Sequence, residues 1–309
     1  MNTMENERLL LQLQGELTGD RQQDRALLLQ WADRYKGNTQ AGPLLRQIGR
    51  MLFRLDEETT AAMTQEFLDE ALARSDQAFA AAMELMEAER YDAAAEVLAS
   101  AAEKMNELAL PADFVWMDFH SFLDGLLFED YFSEEINGRE VRRHPLRPAR
   151  LLRTYGEVLT QLERYPEAAL ILEGLIALDP VCPEDLCALA NAYLYLDRTQ
   201  DAWEALCWAL LCASTREEAA LCYLLLSLCR SQEEDWENAA VLAQKSLRVY
   251  RTREAEELLA HIEELAGQPA EYTDEDINRR CRELDVPTGR SKAVEENLAF
   301  LEKFSAEEE

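Results

Sequence analysis

The chain has 309 residues, and its hydrophobic content of 48% is enough to form a substantial buried core. Its 61 acidic residues against 31 basic ones give a formal net charge of -30 at pH 7. This charge argues against a bare nucleic-acid binder, which needs a basic surface, and against binding to anionic membranes. It is typical of a solvated acidic surface, and it would favour basic partners if the field is used in recognition.

Targeting and cysteine signals predict a cytoplasmic protein. Residues 1–6 lack the basic start and apolar core of a signal peptide, and the longest apolar stretch, 205–213, is too short to span a bilayer. The seven cysteines form no CxxC pair and have no histidines nearby, so we expect buried hydrophobes rather than metal ligands or disulfides. We therefore predict no metal and no cofactor.

Residues 1–74 read as an N-terminal helical segment. Apolar residues recur at helical spacing in three stretches, and the third follows Gly42 and Pro43. Lys36, Gly37 and Asn38 are predicted to end the second helix, because glycine suits the left-handed conformation found after helix ends. The three helices are expected either to form a small bundle or to cap the first repeat of a longer array.

Residues 75–148 are predicted to hold a helix-turn-helix repeat, with its turn at 89–94, and then an aromatic-rich stretch. Seven aromatic residues lie within 114–132 and favour a buried helix, and with it a degenerate repeat; an inserted lid or docking surface is the alternative. A basic run follows, which could bind an acidic or phosphorylated peptide, although internal pairing with carboxylates is favoured. Its members are Arg139, Arg142, Arg143, Arg147 and Arg150.

Residues 149–253 repeat one pattern three times: a helix, a short polar turn and a second helix. Tyr165, Thr199 and Trp236 occupy equivalent places in the turns, at intervals of 34 and 37 residues. A fixed period in the thirties is typical of a helical solenoid. Small residues also recur in pairs twelve positions apart, as two helices need where their axes come closest. The pairs, including one from the upstream repeat, are Gly156 and Ala168, Ala190 and Ala202, Ser227 and Ala239, and Ala82 and Ala94.

This pattern resembles the tetratricopeptide repeat. The residues that match its motif are Leu152, Tyr155, Gly156, Leu159, Tyr165, Ala168, Leu172, Asp179 and Pro180. The other copies depart from it, with Ala190 and Ser227 in the glycine place and Thr199 in the tyrosine place. The resemblance covers about 75–108 and 149–253, somewhat less than half of the chain. It implies an all-α, right-handed helix-pair solenoid that binds peptides or proteins and performs no catalysis.

Residues 254–309 are predicted to cap the array with further helices and to end in an acidic tail. A helix over 254–265 is expected to end at Gly267, and a short helix follows over 272–284. Ser291 is a suitable N-cap for a last helix with an apolar stripe, which makes the segment 291–304 a candidate to fold back and fill the groove.

No catalytic motif stands out. The glycines are scattered singly, so there is no phosphate-binding loop, and there is no Gly-x-Ser-x-Gly elbow. The three histidines, His120, His144 and His261, lie far apart in the sequence and form no metal-binding or general-base pattern. We therefore predict that the protein is not an enzyme.

The exposed positions of the first helix in each pair form the candidate binding groove, because those helices line the concave face of such a solenoid. The groove changes from charged to apolar along the array. Asn191 matches an asparagine with which the family clamps a peptide carboxylate, but Cys187 stands where a clamp lysine belongs, so that mode is not expected. The candidate residues are Arg150, Arg153, Glu157, Cys187, Asn191, Leu194, Tyr195, Leu221, Leu224, Leu225 and Leu228.

Three functional hypotheses follow. The first is a scaffold or adaptor that binds a partner peptide in the groove, with a basic segment or an apolar helix as the expected ligand. The second is a solenoid closed by its own C-terminal helices that acts through dimerisation or an outer surface. The third, which the missing motifs disfavour, is an enzymatic or regulatory role for 108–148. Neither nucleic acid nor a membrane is expected as a partner, and a homo-oligomer stays open.

Overall fold

A computed structural model describes residues 3–19, 21–36, 38, 41–55, 57–106, 110, 113–136, 138–267 and 272–307. In this part of the chain the secondary structure is helical apart from two short strands, which confirms the all-helical class. The chain divides into two compact units, Met1–Arg74 and Ser75–Glu309, and the boundary falls inside one long helix, α4 (Glu57–Glu87).

The first unit contains three helices with a core of their own. They are α1 (Thr3–Glu16), α2 (Arg21–Tyr35) and α3 (Gly42–Leu55). Their buried apolar side chains form one cluster, in which the indole of Trp31 donates to Glu16 over 3.1 Å. Asp24, in the first turn of α2, accepts hydrogen bonds from the backbone N–H groups of Thr18 and Gly19, which precede the helix. These hydrogen bonds, the one from Thr18 first, hold the pKa of Asp24 below its usual value.

The second unit is built on a series of helix pairs. The pair before the inserted segment consists of the end of α4 and α5 (Tyr91–Asn106). The later helices are α7 (Ala149–Gln161), α8 (Tyr165–Ile176), α9 (Pro183–Tyr195), α10 (Thr199–Cys212), α11 (Arg216–Gln232), α12 (Trp236–Val249) and α13 (Arg253–Ala266). From α7 to α13 each helix contacts the next along the chain, and the first helix α9 also contacts the first helices of the pairs on either side, α7 and α11, as expected for a solenoid.

The turn within each pair has the same backbone geometry in all four copies. One acidic residue in each turn, Glu89, Glu163, Asp197 or Glu234, adopts a left-handed conformation with φ between 55° and 59°. In the second copy the Arg164 N–H then bonds back to the Leu159 carbonyl over 2.9 Å, and the other three copies repeat this bond. This is the Schellman ending of a helix, and it reverses the chain within a few residues. The repeat seen in the sequence is therefore also a repeat of backbone structure.

The small-residue pairs lie where the two helices of a pair meet. All eight residues are buried. Ser227 donates to the Ala239 carbonyl of the facing helix over 2.7 Å, which places these two positions in direct contact. A Cβ added to Gly156 would lie 2.7 Å from a methyl carbon of Leu172 on α8. The predicted contact between small residues is confirmed for Ser227 and Ala239, whereas the close neighbour of Gly156 is Leu172 rather than the predicted Ala168.

The aromatic-rich stretch is not a degenerate helix pair. It folds as strand β1 (Phe114–Met117), helix α6 (Phe122–Ile136) and strand β2 (Glu140–Arg143), and the two strands pair in parallel. We expected a buried helix here, and only α6 has that form. The correction has a physical cause: the alternating side chains of 114–117 divide between the buried cluster around α6 and an outer face, and this two-residue alternation is the pattern of a strand.

The last helix does not fill the predicted groove. After α14 (Asp274–Glu283), Ser291 caps α15 (Lys292–Glu307) as expected, accepting from the Val294 N–H. In the part of α15 whose side chains are described, Val294 and Leu298 pack against α6. Asn297 donates to Asp130 on the same helix over 2.6 Å. The apolar stripe of α15 thus covers the aromatic segment rather than the groove.

Candidate functional site

A pocket of about 370 Å³ opens between α9, α11 and α13, the helices that follow one another as first helices along the array. Its walls are mostly apolar. They come from the ends of α9 and α11, the start of α12 and one face of α13. The lining residues are Asn191, Leu194, Tyr195, Leu228, Ser231, Gln232, Trp236, Leu258, His261, Ile262 and Leu265.

The apolar part of the pocket is anchored in the core of the array. Leu194 and Ile262 are almost fully buried, and each contributes to a core cluster beneath the pocket. Tyr195 and Leu265 lie at the rim, where they are 59% and 50% exposed. Large apolar side chains exposed next to a concave apolar surface are typical of a site that another molecule covers.

Three polar side chains in the pocket have no hydrogen-bond partner among the described residues. They are the amide of Asn191, the indole N–H of Trp236 and the imidazole of His261. Gln232 differs from them, because its amide donates to the Leu194 carbonyl over 3.0 Å and accepts from Thr199 over 3.1 Å. The pocket therefore contains a polar side chain, Gln232, that is held in place by hydrogen bonds. The polar groups of Asn191, Trp236 and His261 have no partner among the described residues and are available to bind a ligand.

Tyr195 is held in place by a second tyrosine. Its ring stacks on that of Tyr165, with ring centroids 4.1 Å apart and planes only 6° from parallel. Tyr165 is the motif aromatic of the preceding turn, so the stack couples one repeat to the next. A rigid, half-exposed aromatic surface contributes contact area at a low entropic cost.

The structure brings only part of the predicted groove together. Asn191, Leu194, Tyr195 and Leu228 line the pocket as expected. Leu221, Leu224 and Leu225 lie on α11 outside the pocket lining, and Leu225 is buried.

The prediction that Cys187 lines the groove is wrong, because this side chain is buried. Its sulfur lies 3.5 Å from that of Cys222 on α11, so this side chain packs between neighbouring repeats. Six of the seven thiols are buried, and Cys207 is half-buried. Burial raises the pKa of Cys207 to about 11.

The charged end of the predicted groove is paired internally. Arg153 forms two hydrogen bonds, of 2.5 Å and 2.6 Å, with Asp185, whose side chain is only 1% exposed. These bonds raise the pKa of Arg153 above its usual value. Arg150 pairs with Asp76 and stacks over the ring of Phe79, while Glu157 is exposed. A guanidinium already paired with a buried carboxylate is costly to recruit for a ligand.

The pocket residues of α13 were missed, although the sequence contains their signal. Adding the 37-residue interval of the last two turns to Leu221, Leu224, Leu225 and Leu228 gives Leu258, His261, Ile262 and Leu265. All four line the pocket. The sequence analysis predicts only a capping helix over 254–265, and in the sequence no second helix with a matching turn follows this stretch. Structurally α13 takes the place of one more first helix.

The arginine run is divided between paired and unpaired members. Arg142 forms a two-bond pair with Glu140 and lies 3.6 Å above the ring of Phe114. Arg143 is 3.8 Å from Asp118. Arg139 donates to a backbone carbonyl only, and Arg147 is exposed; neither has a carboxylate partner among the described residues. The favoured prediction of internal pairing therefore holds for Arg142, Arg143 and Arg150 only.

Buried carboxylates hold the aromatic segment to the repeats. Asp179 accepts from the His120 N–H over 2.7 Å, and its other oxygen is buried with no hydrogen-bond partner among the described residues. Burial, together with the charge of Asp124, raises the pKa of Asp179 to about 7. Burial also raises the pKa of Asp124, which caps α6 with Ser121.

The described residues contain neither a membrane-spanning helix nor a cluster of metal-binding side chains. None of the helices there has both the length and the apolar character needed to cross a bilayer. Histidine, cysteine and carboxylate side chains in the same part of the chain form no group of three or more that is arranged to hold a metal ion.

Comparison with known proteins does not identify a family for this chain. No protein-family model matches the chain, and no curated protein is significantly similar to it.

Proposed function

We propose that the protein is a non-catalytic interaction module of the tetratricopeptide type, which binds a helical segment of a partner protein in the pocket between α9, α11 and α13. The right-handed superhelix of that family is part of the proposal. The observation that carries it is the pocket itself, an apolar concavity that includes three polar side chains without a hydrogen-bond partner in the described part of the chain. We further propose a cytoplasmic location, because all seven cysteines are free.

A helical ligand fits the shape and chemistry of the pocket better than an extended carboxylate-ended peptide. Leu228 of α11 and the apolar residues that α13 contributes to the pocket form an apolar strip. An amphipathic helix binds such a strip through side chains at i, i+3, i+4 and i+7. A clamp for a peptide carboxylate needs cationic side chains, whereas the described residues that line the pocket include no lysine or arginine.

The charge of the surrounding helices favours a ligand with basic flanks. Together α9, α11 and α13 carry nine carboxylates and three arginines. Glu254 and Glu264 lie about one turn from pocket residues on α13, are exposed, and have no basic partner among the described residues. Lysines or arginines beside the apolar face of the ligand would meet these carboxylates, which speeds association and sets orientation more than it adds affinity.

The test is a selection of displayed amphipathic peptides on the immobilised full-length protein, followed by calorimetry of a selected peptide in solution. Tyr195→Glu places a charge at the pocket rim. We expect it to weaken binding roughly tenfold or more, because it removes an aromatic anchor and buries a carboxylate against apolar groups. Tyr250→Glu makes the same change at another half-exposed tyrosine outside the pocket, and we expect no effect.

The outcomes separate the proposal from its alternatives. Peptides that lose affinity equally in both variants, or in neither, would place binding outside the pocket. The proposal would be contradicted if no peptide could be selected on the protein from a library of basic and neutral amphipathic helices. The double variant Glu254→Gln with Glu264→Gln should lower the affinity for a basic peptide and make that affinity less dependent on salt concentration. The affinity for a neutral peptide should not change.

A further inference from the structure

The small sheet of the inserted segment has an open edge. Strands β1 and β2 pair in parallel from Phe114 with Glu140 to Met117 with Arg143. Within the described residues no other strand pairs with either of them. Three of the four residues of β2 are exposed. Parallel strands occur almost always in larger sheets that are covered on both faces, so a ladder of two strands with an exposed side is an unusual feature.

This edge is held firmly in position. The His144 N–H bonds to the Met117 carbonyl over 2.7 Å and so continues the ladder by one residue. On the β1 side the Asp118 N–H bonds to the Leu178 carbonyl over 3.0 Å, and the Asp118 carboxylate accepts from the Ala149 N–H. The strand pair is thereby fixed to α7 and to the loop after α8. A preformed edge spares a ligand part of the ordering cost of binding.

Positive charge is concentrated in the sequence around β2. Residues 138–150 contain five arginines and one carboxylate, in a chain whose net charge is -30. Arg139 directly precedes β2, and Arg147 follows its last residue by four positions; both are exposed and have no carboxylate partner among the described residues. Arg143 is 64% exposed and only loosely paired with Asp118. Exposed guanidinium groups of this kind are bidentate donors for carboxylates.

We infer that the outer edge of β2 binds an acidic segment of another protein, which adds to the sheet as an extended third strand. The backbone of that segment would bond to the free N–H and carbonyl groups of β2, and its carboxylates would meet Arg139, Arg143 and Arg147. The surface is separate from the pocket, and its ligand has the opposite charge.

The charges select among the possible occupants of the edge. A second copy of β2 would bring arginines against arginines, which disfavours self-pairing through this edge. Nucleic acid offers no peptide backbone that can join a sheet. The strongly negative field of the whole chain opposes any acidic ligand, but distant charges are screened beyond about 8 Å at physiological salt, so the local arginines dominate.

The experiment uses the full-length protein and a fluorescein-labelled octapeptide of alternating glutamate and valine, followed by fluorescence anisotropy. Two control peptides have the same length: one replaces every glutamate with lysine, and one carries N-methyl groups on alternate residues, which block strand pairing. We expect the acidic peptide alone to bind. We also expect slower amide hydrogen exchange within 140–143 when it is bound.

Matched variants test the role of the arginines. Arg139→Gln with Arg147→Gln removes two exposed charges that make no ion pair in the described structure, so the fold is expected to be retained. Binding of the acidic peptide should weaken roughly tenfold, which corresponds to about 0.7 kcal/mol for each of the two lost charge contacts. Arg253→Gln with Arg279→Gln changes the net charge equally on α13 and α14, and it should leave binding within about twofold.

Several results would overturn the inference. The acidic peptide could fail to bind at millimolar concentration, or the lysine peptide could bind equally well. Equal binding of the N-methylated peptide would exclude strand addition, and displacement by a single-stranded oligonucleotide at equal concentration would indicate a general anion site instead. Because none of these readouts involves the pocket, failure here would leave the proposed function untouched.

Discussion

The repeats at 149–249 and the inserted segment at 113–143 are stabilised in different ways. In the repeats each contact recurs at a fixed interval, so Glu163, Asp197 and Glu234 make the same turn and Ala168, Ala202 and Ala239 fill the same contact. In the inserted segment each contact occurs once. Tyr131 bonds to Ser291 over 2.8 Å across 160 positions of sequence, and Asp179 bonds to the backbone of His120 across 59.

This difference predicts a difference in cooperativity. A repeat array is stabilised by contacts between neighbours and unfolds as linked units, whereas a segment attached by a few distant contacts can open by itself. The binding surfaces divide in the same way. The proposed pocket is formed by the array, and the proposed strand edge is formed by the inserted segment.

The largest expected effect comes from shortening one buried leucine in each region. Leu206→Ala in α10 and Leu127→Ala in α6 both create a cavity at a fully buried site. Each should cost about 2–5 kcal/mol. We expect Leu206→Ala to lower the midpoint of global unfolding by urea. Leu127→Ala should mainly accelerate amide exchange within 114–143 and 292–302, because it loosens only the inserted segment and α15.

If Leu127→Ala speeds exchange equally in α9 and α11, the inserted segment and the array form one cooperative unit and the distinction is wrong. A Leu206→Ala variant that affects only its own helix pair would contradict linked unfolding of the array.

The second largest effect on stability is expected from replacing a buried glycine, compared with an exposed glycine in the same helix pair, α7 and α8. Gly156 faces Leu172, whereas a Cβ at Gly174 would meet nothing within 4 Å. We expect Gly156→Val to lower the free energy of unfolding by about 1–3 kcal/mol, because it forces α7 and α8 apart. Gly174→Val should change it by no more than about 0.5 kcal/mol, as is usual for surface substitutions. Urea denaturation of both variants measures the difference, and equal effects would show that close helix approach does not depend on position 156.

The smallest effect concerns pH and the attachment of the inserted segment. The pKa of Asp179 is about 7 in the folded protein and near 3.8 when exposed, so its protonated form favours folding. Its contribution to stability is complete below about pH 4 and is lost as the pH rises through about 7. Asp124, whose pKa is also raised, acts in the same direction, whereas His144, whose pKa is lowered by burial, acts in the opposite one.

The variant Asp179→Asn isolates this contribution. We expect it to be more stable than the wild type at pH 8, by about 1 kcal/mol, and to lose that advantage at pH 5. The gain is limited because the amide group also occupies a buried site that lacks a second hydrogen-bond partner. Thermal melts of both proteins at the two pH values provide the measurement. A variant that is less stable at pH 8 would show that the charged carboxylate holds the segment in place.

The sequence predicts the array well because its determinants are local and repeated. The helix pairs, the small-residue contacts and part of the pocket follow from spacing alone. Cys187 was assigned to the groove by the same spacing, but the facing residue Cys222 shows that this position packs between repeats. The pocket residues on α13 were not predicted. A single helix that is not followed by a partner helix is usually interpreted as the cap of an array.

The inserted segment could not be predicted in the same way. Its aromatic spacing fits a helix, and only α6 satisfies it. The strands depend on distant partners: Asp118 bonds to Ala149, and Trp208 donates to the Pro180 carbonyl beside the segment over 2.6 Å. The position of α15 on α6 depends on the same packing. Such contacts leave no period in a single sequence.

Hydrogen exchange shows whether the proposed ligand binds in the pocket between α9, α11 and α13. The full-length protein would be measured with and without a selected amphipathic peptide at saturation. We predict slower exchange in 191–195, 228–236 and 258–265, with exchange in 114–143 unchanged. Protection confined to the inserted segment, or to the N-terminal helices, would contradict this prediction.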